Sequence, residues 1–326
     1  MPSFSAKTGR FAYDARHLQR IFDRRAATFH DVAFLPREIA QRMHERFDYI
    51  RLEPARVLDA GCGPGDDLLL LHQRFPKATV CGADLSSAML GQAARQDALA
   101  QADAGWRHWF AASIGKTFGA HGPRLVQANF SALPFAGATF DLLWSNLALH
   151  WHPRPDLVPG EWQRVLKVDG LLMFSTFGPD TLKELRRAYA QAEAAHGCAP
   201  CTHIVDFVDM HDLGDRLVEN GFGTPVMDRQ TLTVTYRSPA SLLADVRRWG
   251  AYPFMRDDDN ARHALATSHA RRLHDTLRQT LDAQRRDDGT IALTFEVIYG
   301  HAWKAVPRTT PEGHGVVRIE DIGRGR

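Results

Sequence analysis

Cysteine is scarce, with four residues in a chain of 326. So few thiols do not make a disulfide framework, and the compartment expected is a reducing one, the cytoplasm. Long apolar runs are missing too. None reaches the roughly 20 residues that cross a bilayer, so no membrane span is expected. Nor is there an excess of charge. Lys and Arg number 40 against 38 Asp and Glu, and a formal net charge of +2 gives no reason to expect nucleic acid. Met1 to Arg20 lacks the apolar core of a secretory signal. That stretch is basic and free of acids before Asp14, which leaves an organellar address open beside a short disordered lead-in. Internal repeats are absent, which excludes a repeat architecture.

What is present suits a globular protein: 44% hydrophobic and 24% charged residues supply both a core and a surface. Gln19 to Phe47 reads as helix, broken near Pro36. Short apolar runs at Arg56–Asp59, Thr79–Ala83, Leu125–Ala128, Phe140–Ser145 and Gly170–Phe177 read as strands. Helical patterns separate them, at Leu68–Leu71, Ser87–Ala100 and Glu161–Leu166. Strand–helix alternation of this kind builds a parallel sheet covered on both faces. Asp103 to Pro123, with Trp106, Trp109, Phe110 and Phe118, reads as an insertion in that rhythm. Beyond Gly178 come helices at Thr181–Ala195, Val208–Asn220, Pro239–Trp249 and Ala261–Arg286, with strands at Thr231–Tyr236 and Ile291–Trp303. The tail from Pro307 is rich in Gly, Thr and Arg and reads as mobile.

The chemistry starts where the first strand ends, in Asp59-Ala-Gly-Cys-Gly-Pro-Gly65. Gly61, Gly63 and Gly65 let backbone approach a ligand, and the helix that follows offers free N–H groups. Two ligand classes compete for such a turn, a dinucleotide and S-adenosylmethionine. The dinucleotide fingerprint places its third glycine one residue later, where this chain has Asp66. An acid there repels pyrophosphate, whereas Asp59 suits the cationic methionine end of S-adenosylmethionine. Asp84 closes the second strand about 20 residues further on, where a ribose-binding acid belongs; capping the next helix is its other reading. Met89 is open between contact with adenine and a place in the core.

These segments resemble a known family. Val57-Leu-Asp-Ala-Gly-Cys-Gly-Pro-Gly65, Gly82-Ala-Asp-Leu-Ser86, Leu133-Pro-Phe135 and Phe140-Asp-Leu-Leu-Trp144 are similar, in order, to the signatures of class I methyltransferases. The resemblance implies a Rossmann-like, doubly wound α/β fold: a mostly parallel seven-stranded sheet with a helical cap inserted after the fifth strand. It implies Asp59 and the glycines around the methionine moiety, Asp84 on the ribose, and Asn129 with Phe130 beside the adenine. Leu85 and Asn146 join this cofactor set. Asn129 departs from the family's usual Asp, though an amide oxygen still accepts a hydrogen bond from an exocyclic amine. The division expected is a helical lid at 1–50, a cofactor-binding core at 51–178, cap and closing strands at 179–306 and a tail at 307–326.

A narrower resemblance lies outside that core. Phe22-Asp-Arg-Arg-Ala-Ala-Thr-Phe29, Trp144-Ser-Asn-Leu-Ala-Leu-His-Trp151 and Leu293-Thr-Phe-Glu-Val-Ile-Tyr-Gly300 look like the malonyl-acyl-carrier-protein O-methyltransferases of biotin synthesis. That implies esterification of the free carboxyl of a malonyl thioester, carried by acyl-carrier protein or by coenzyme A. Phe177-Gly-Pro-Asp-Thr-Leu-Lys-Glu-Leu-Arg186, Asp212-Leu-Gly214 and Gly221-Phe222 are also similar to complex I assembly factors, which implies arginine hydroxylation or a non-catalytic assembly role instead. A malonyl carboxylate is already ionised at neutral pH, so its methylation requires no base and no metal. Phe29, His150 and Trp151 are the candidates for lining the acceptor pocket, with simple packing as their other reading. Arg24 and Arg25, and the pairs Arg247-Arg248, Arg271-Arg272 and Arg285-Arg286, read either as docking points for an acidic carrier or as solvated helix surface. His196-Gly-Cys198-Ala-Pro-Cys201-Thr-His203 crowds four potential zinc ligands into one loop too short for ordinary zinc spacing, so no metal is expected.

Overall fold

A computed structural model describes residues 15–112, 124–199, 203–204, 206–249 and 268–306. The apolar runs form strands at Arg56–Ala60 (β1), Thr79–Asp84 (β2), Arg124–Gln127 (β3), Phe140–Ser145 (β4) and Leu166–Phe177 (β5). Phe222–Tyr236 (β6) and Ile291–Lys304 (β7) complete a seven-stranded sheet of order β3-β2-β1-β4-β5-β7-β6. Pairing is parallel from β3 through β5, and β7 runs antiparallel to both of its neighbours. Strand order reverses direction at β1, where Leu58 lies between Cys81 and Leu143. Ligands bind at the carboxyl ends of strands beside such a switch point.

Alternation sorts the side chains to two faces. Val57, Leu142 and Trp144 pack with Leu68 and Leu71 of the helix Asp66–Arg74 (α3). Leu58, Leu143 and Leu172 pack on the other face, against Trp162 and Val165 of Val158–Val165 (α5) and Leu213 and Leu217 of Met210–Glu219 (α7). The strand β7 is buried almost throughout, whereas β6 at the edge alternates between half-buried and exposed residues.

Several expectations shift. The amino-terminal helix breaks before Pro36, giving Ala15–Arg25 (α1), a 3-10 turn at Phe29–Val32 and Phe34–Glu45 (α2). Pro36 sits in the first turn of α2, where the N–H it lacks has no partner to lose. The chain turns earlier because Val32 is drawn fully inside, its carbonyl accepting a 2.7 Å bond from Trp249 Nε1. The second of the helices alternating with the strands, Ser87–Ala112 (α4), continues through the first half of the expected insertion. Residues 113–123, with Phe118, lie outside the described residues. Strand β6 starts nine residues earlier than expected, and β5 four.

The helical cap is not one insertion after the fifth strand. Lys183–Ala195 (α6) follows β5, but Pro239–Trp249 (α8) and Ser268–Asp282 (α9) arise between β6 and β7. Packing of α9 against α6 and α8 joins the two parts. Leu185, Leu242 and Leu281 then continue the core on the α3 face of the sheet. Residues 1–14, 261–267 of the expected last helix, and the tail at 307–326 are outside the described residues.

Candidate functional site

The turn after β1 is pinned to the end of β2, with Gly61 N and Cys62 N both donating to Ala83 O, at 2.7 and 3.1 Å. Gly61 has φ of 88°, and a Cβ there would collide with the Ala148 side chain. Gly63, at φ 51°, is different: a side chain would meet no protein atom within 4 Å. Its glycine therefore keeps space open beside the turn. Gly65 caps α3 in a left-handed conformation against Ala93 of α4.

That space belongs to a cavity of about 330 Å³ at the carboxyl ends of the parallel strands. One end is acidic. Asp59 is 1% exposed and its Oδ2 has no hydrogen-bond partner. Burial pushes its carboxyl well up, and the neighbouring Asp67 and Asp84 add to the effect. Asp67 receives Trp144 Nε1 at 2.8 Å, yet burial still lifts it to about 6. Asp84 takes Gly63 N at 2.9 Å and Ser86 N at 2.8 Å, and burial outweighs both, again to about 6. Among the described residues lining the cavity there is no lysine or arginine. Asp59 and Asp67 are buried and Asp84 half-buried, and among the described residues none of the three pairs with a cation, a charge that a cationic ligand supplies.

The other end is aromatic. Phe22, Phe29, His150, Trp151, Phe177 and Phe207 line it, and Trp249 and Phe295 are also in the wall. His150 lies tilted against Phe177, with ring centroids 4.6 Å apart, and meets Phe207 edge-on at 5.8 Å. Burial drives its ring down to about 3, so it is neutral at physiological pH, and its Nδ1 has no partner. Phe22 packs edge-on against Trp151 at 4.7 Å, bringing α1 onto the cavity.

This geometry has counterparts. A family model described as a methyltransferase domain matches residues 58–174. A malonyl-acyl-carrier protein O-methyltransferase of Laribacter hongkongensis is 42% identical, over 92% of this chain and 93% of that protein. The chain belongs to this methyltransferase family. Another member, from Nitrosospira multiformis, is 38% identical over 94% of this chain and 95% of its own. The solved YcgJ protein of Bacillus subtilis shares the fold at 18% identity, with a TM-score of 0.51 over 83% of this chain and 100% of that one. The chain is thus a methyl-transferring enzyme with S-adenosylmethionine as its cofactor, and these relatives favour the malonyl family over the complex I assembly factors.

Every residue expected at the methyltransferase site except Asp59 and Gly65 lines the cavity, including Leu85, Met89, Asn129, Phe130 and Asn146. Asp59 lies behind the turn, and Gly65 packs on α4. Asn146 is held by Pro36 O at 3.0 Å and Ser175 Oγ at 2.7 Å, which joins α2 to the strand ends. Asn129 departs from expectation, because its Oδ1 already accepts Ser131 N and Ser131 Oγ at 3.0 and 2.8 Å. Both lone pairs are in use within that turn, which leaves its amide N–H groups for a ligand. Asp66, the acid that displaces the expected dinucleotide glycine, is met by Arg37 at 3.1 Å. The buried acid is its neighbour Asp67, which sequence reasoning missed. Phe177, Phe207, Trp249 and Phe295 were missed as well; only Phe177, ending β5 at the ligand edge, carried a signal. Of the zinc-loop residues, His203 bonds Glu193 at 2.6 Å and His196 bonds Thr276 at 2.8 Å, while Cys201 is outside the described residues. Among the described residues no helix is long and apolar enough to cross a membrane.

Proposed function

We propose that this enzyme methylates the free carboxyl of a malonyl thioester carried by acyl-carrier protein, giving the methyl ester, as an early step of biotin synthesis in the cytoplasm. The division of one cavity into an acidic end, where Arg37 meets Asp66 but no described cation pairs with Asp67 or Asp84, and an aromatic end carries the reading. Asp59, Asp67 and the N-terminus of α3 suit the methionine end of the cofactor. Asp84 suits the ribose hydroxyls. Phe130, Met89, Leu85 and the Asn129 amide N–H suit the adenine. When bound, S-adenosylmethionine supplies an electrophilic methyl carbon on a sulfonium.

The aromatic end decides which acceptor fits. An alcohol or a phenol needs a base near neutrality, and His150, held at about 3, is a poor one. A carboxylate arrives ionised and needs none. Phe22, Phe29, Trp151, Phe177 and Phe207 exclude the water that would solvate it, and so support alignment and desolvation. The His150 ring is neutral, its Nδ1 has no partner in the protein, and the tautomer with the proton on Nε2 presents one N–H. That N–H is the donor available to an acyl carboxylate oxygen, and it leaves the anion's charge intact.

Release of S-adenosylhomocysteine tests the reading, with malonyl-carrier and acetyl-carrier compared at equal concentration. Turnover that requires the distal carboxyl supports it. Equal turnover of the acetyl thioester, or none with either carrier, sinks it. Malonyl-coenzyme A in a third arm shows whether the carrier is needed.

A further inference from the structure

The helix α1 has two faces. Leu18 and Phe22 point to the cavity, while Arg16, Arg20 and Arg24 recur at four-residue spacing and are all exposed. Residues so spaced are neighbours on one side of a helix, and like charges there repel. Asp23, the acid within this helix, is turned the other way: its Oδ1 accepts Ser86 Oγ at 2.6 Å and Ala88 N at 3.2 Å, holding α1 to the start of α4. Among the described residues Arg20 and Arg24 form no ion pair. Their Nε atoms donate to Arg16 O at 3.3 Å and Arg20 O at 3.1 Å, which lays both side chains along the helix. Helix stability does not account for the pattern. Arg24 at the carboxyl end favours the dipole, but Arg20, in the middle of the helix, gains nothing from it and is repelled by its like-charged neighbours. Two of the arginine pairs elsewhere do have carboxylates, with Asp245 at 3.7 Å from Arg248 and Asp282 at 2.7 Å from Arg285.

We propose that this arginine face of α1 is the docking surface for an acidic face of the carrier protein that delivers the malonyl group. The inference rests on the function proposed above. Arg20 and Arg24, in line about 6 Å apart along the helix, fit a pair of carboxylates on a partner. The opposite side of the same helix walls the cavity, so a carrier seated there is one helix width from the site its tethered acyl group must enter. The surface acts on encounter and residence of the carrier and takes no part in the methyl transfer.

The test is a comparison of carriers. Arg20→Glu/Arg24→Glu and the milder Arg20→Gln/Arg24→Gln variants are assayed against malonyl-carrier and against malonyl-N-acetylcysteamine, which has no protein attached. Binding of fluorescently labelled malonyl-carrier is measured by anisotropy at low and high salt. Charge reversal is expected to raise carrier KM and Kd about tenfold or more, with the glutamine variant intermediate and the salt dependence reduced. Turnover of the small thioester stays within about twofold of wild type, which also shows that the variants fold. Carrier Kd and KM unchanged in both variants, with wild type active, overturn the docking surface alone. A wild-type enzyme that binds the carrier yet methylates neither substrate sinks the functional reading instead.

Discussion

Cofactor affinity should fall steeply below pH 6, and the structure gives the size of the effect. Asp84 stands at about 6 against an ordinary 3.8, a difference of about 2.2, so the cavity disfavours its ionised form by ~3 kcal/mol. Asp67 stands at about 6 for the same reason, burial. Between pH 7 and pH 5 a cofactor's own carboxylate and ammonium keep their charges. A ligand that needs Asp84 ionised therefore binds about tenfold more weakly at pH 5 than at pH 7, and about a hundredfold if it also needs Asp67 ionised.

The sign for the empty protein is the reverse. A carboxyl whose folded value exceeds its unfolded one favours the fold while protonated. That contribution is fully present below 3.8 and lost as pH rises to about 6. Bound cofactor offsets the loss, so the rise in melting temperature it causes should grow from pH 5 to pH 7. Titration calorimetry of S-adenosylhomocysteine and S-adenosylmethionine in buffers of different ionisation enthalpy reads affinity and released protons together. The sulfonium form should show the larger pH effect. Asp84→Asn should weaken binding at pH 7 and flatten the profile. An affinity equal at pH 5 and pH 7, or Asp84→Asn binding like wild type, would refute the acidic cradle.

His150→Phe should keep the aromatic packing and lower kcat/KM for malonyl-carrier about tenfold to a hundredfold, the worth of a hydrogen bond to a charged group. Cofactor Kd should not change, which a stopped-flow or calorimetric measurement checks. Because the folded His150 lies at about 3, below its ordinary 6.5, it costs stability as pH falls from 6.5 toward 3, and the variant should melt less acid-sensitively over that window. Gly63→Ala should fold with a loss of about 1–2 kcal/mol from its positive φ but lose most cofactor affinity, since its Cβ enters the open space. Gly61→Ala adds a collision with Ala148 and should lower the melting temperature further than Gly63→Ala, as calorimetry of the pair would show.

The cofactor end was largely legible in the sequence, because its residues sit in two short segments whose spacing is dictated by strand–turn–helix geometry. Asp59, Gly63 and Asp84 owe their places to where β1 and β2 end. Asp67 was not legible: within its helix it reads as an acid in a first turn, and only the Trp144 indole arriving from β4 shows that it is buried. The acceptor end is assembled from residues up to 273 positions apart, Phe22 to Phe295, with no local period linking them. The cap was misjudged for a similar reason, since helices that pack together arise from two separate connections. Pro36 misled because proline disrupts a helix interior but not a first turn.

Intact-mass analysis of the carrier tests the central claim most directly. Malonyl-carrier incubated with enzyme and S-adenosylmethionine should gain the mass of one methylene, and the gain should disappear on mild ester hydrolysis. A carrier whose mass is unchanged, under conditions where calorimetry shows the cofactor bound, would contradict the account.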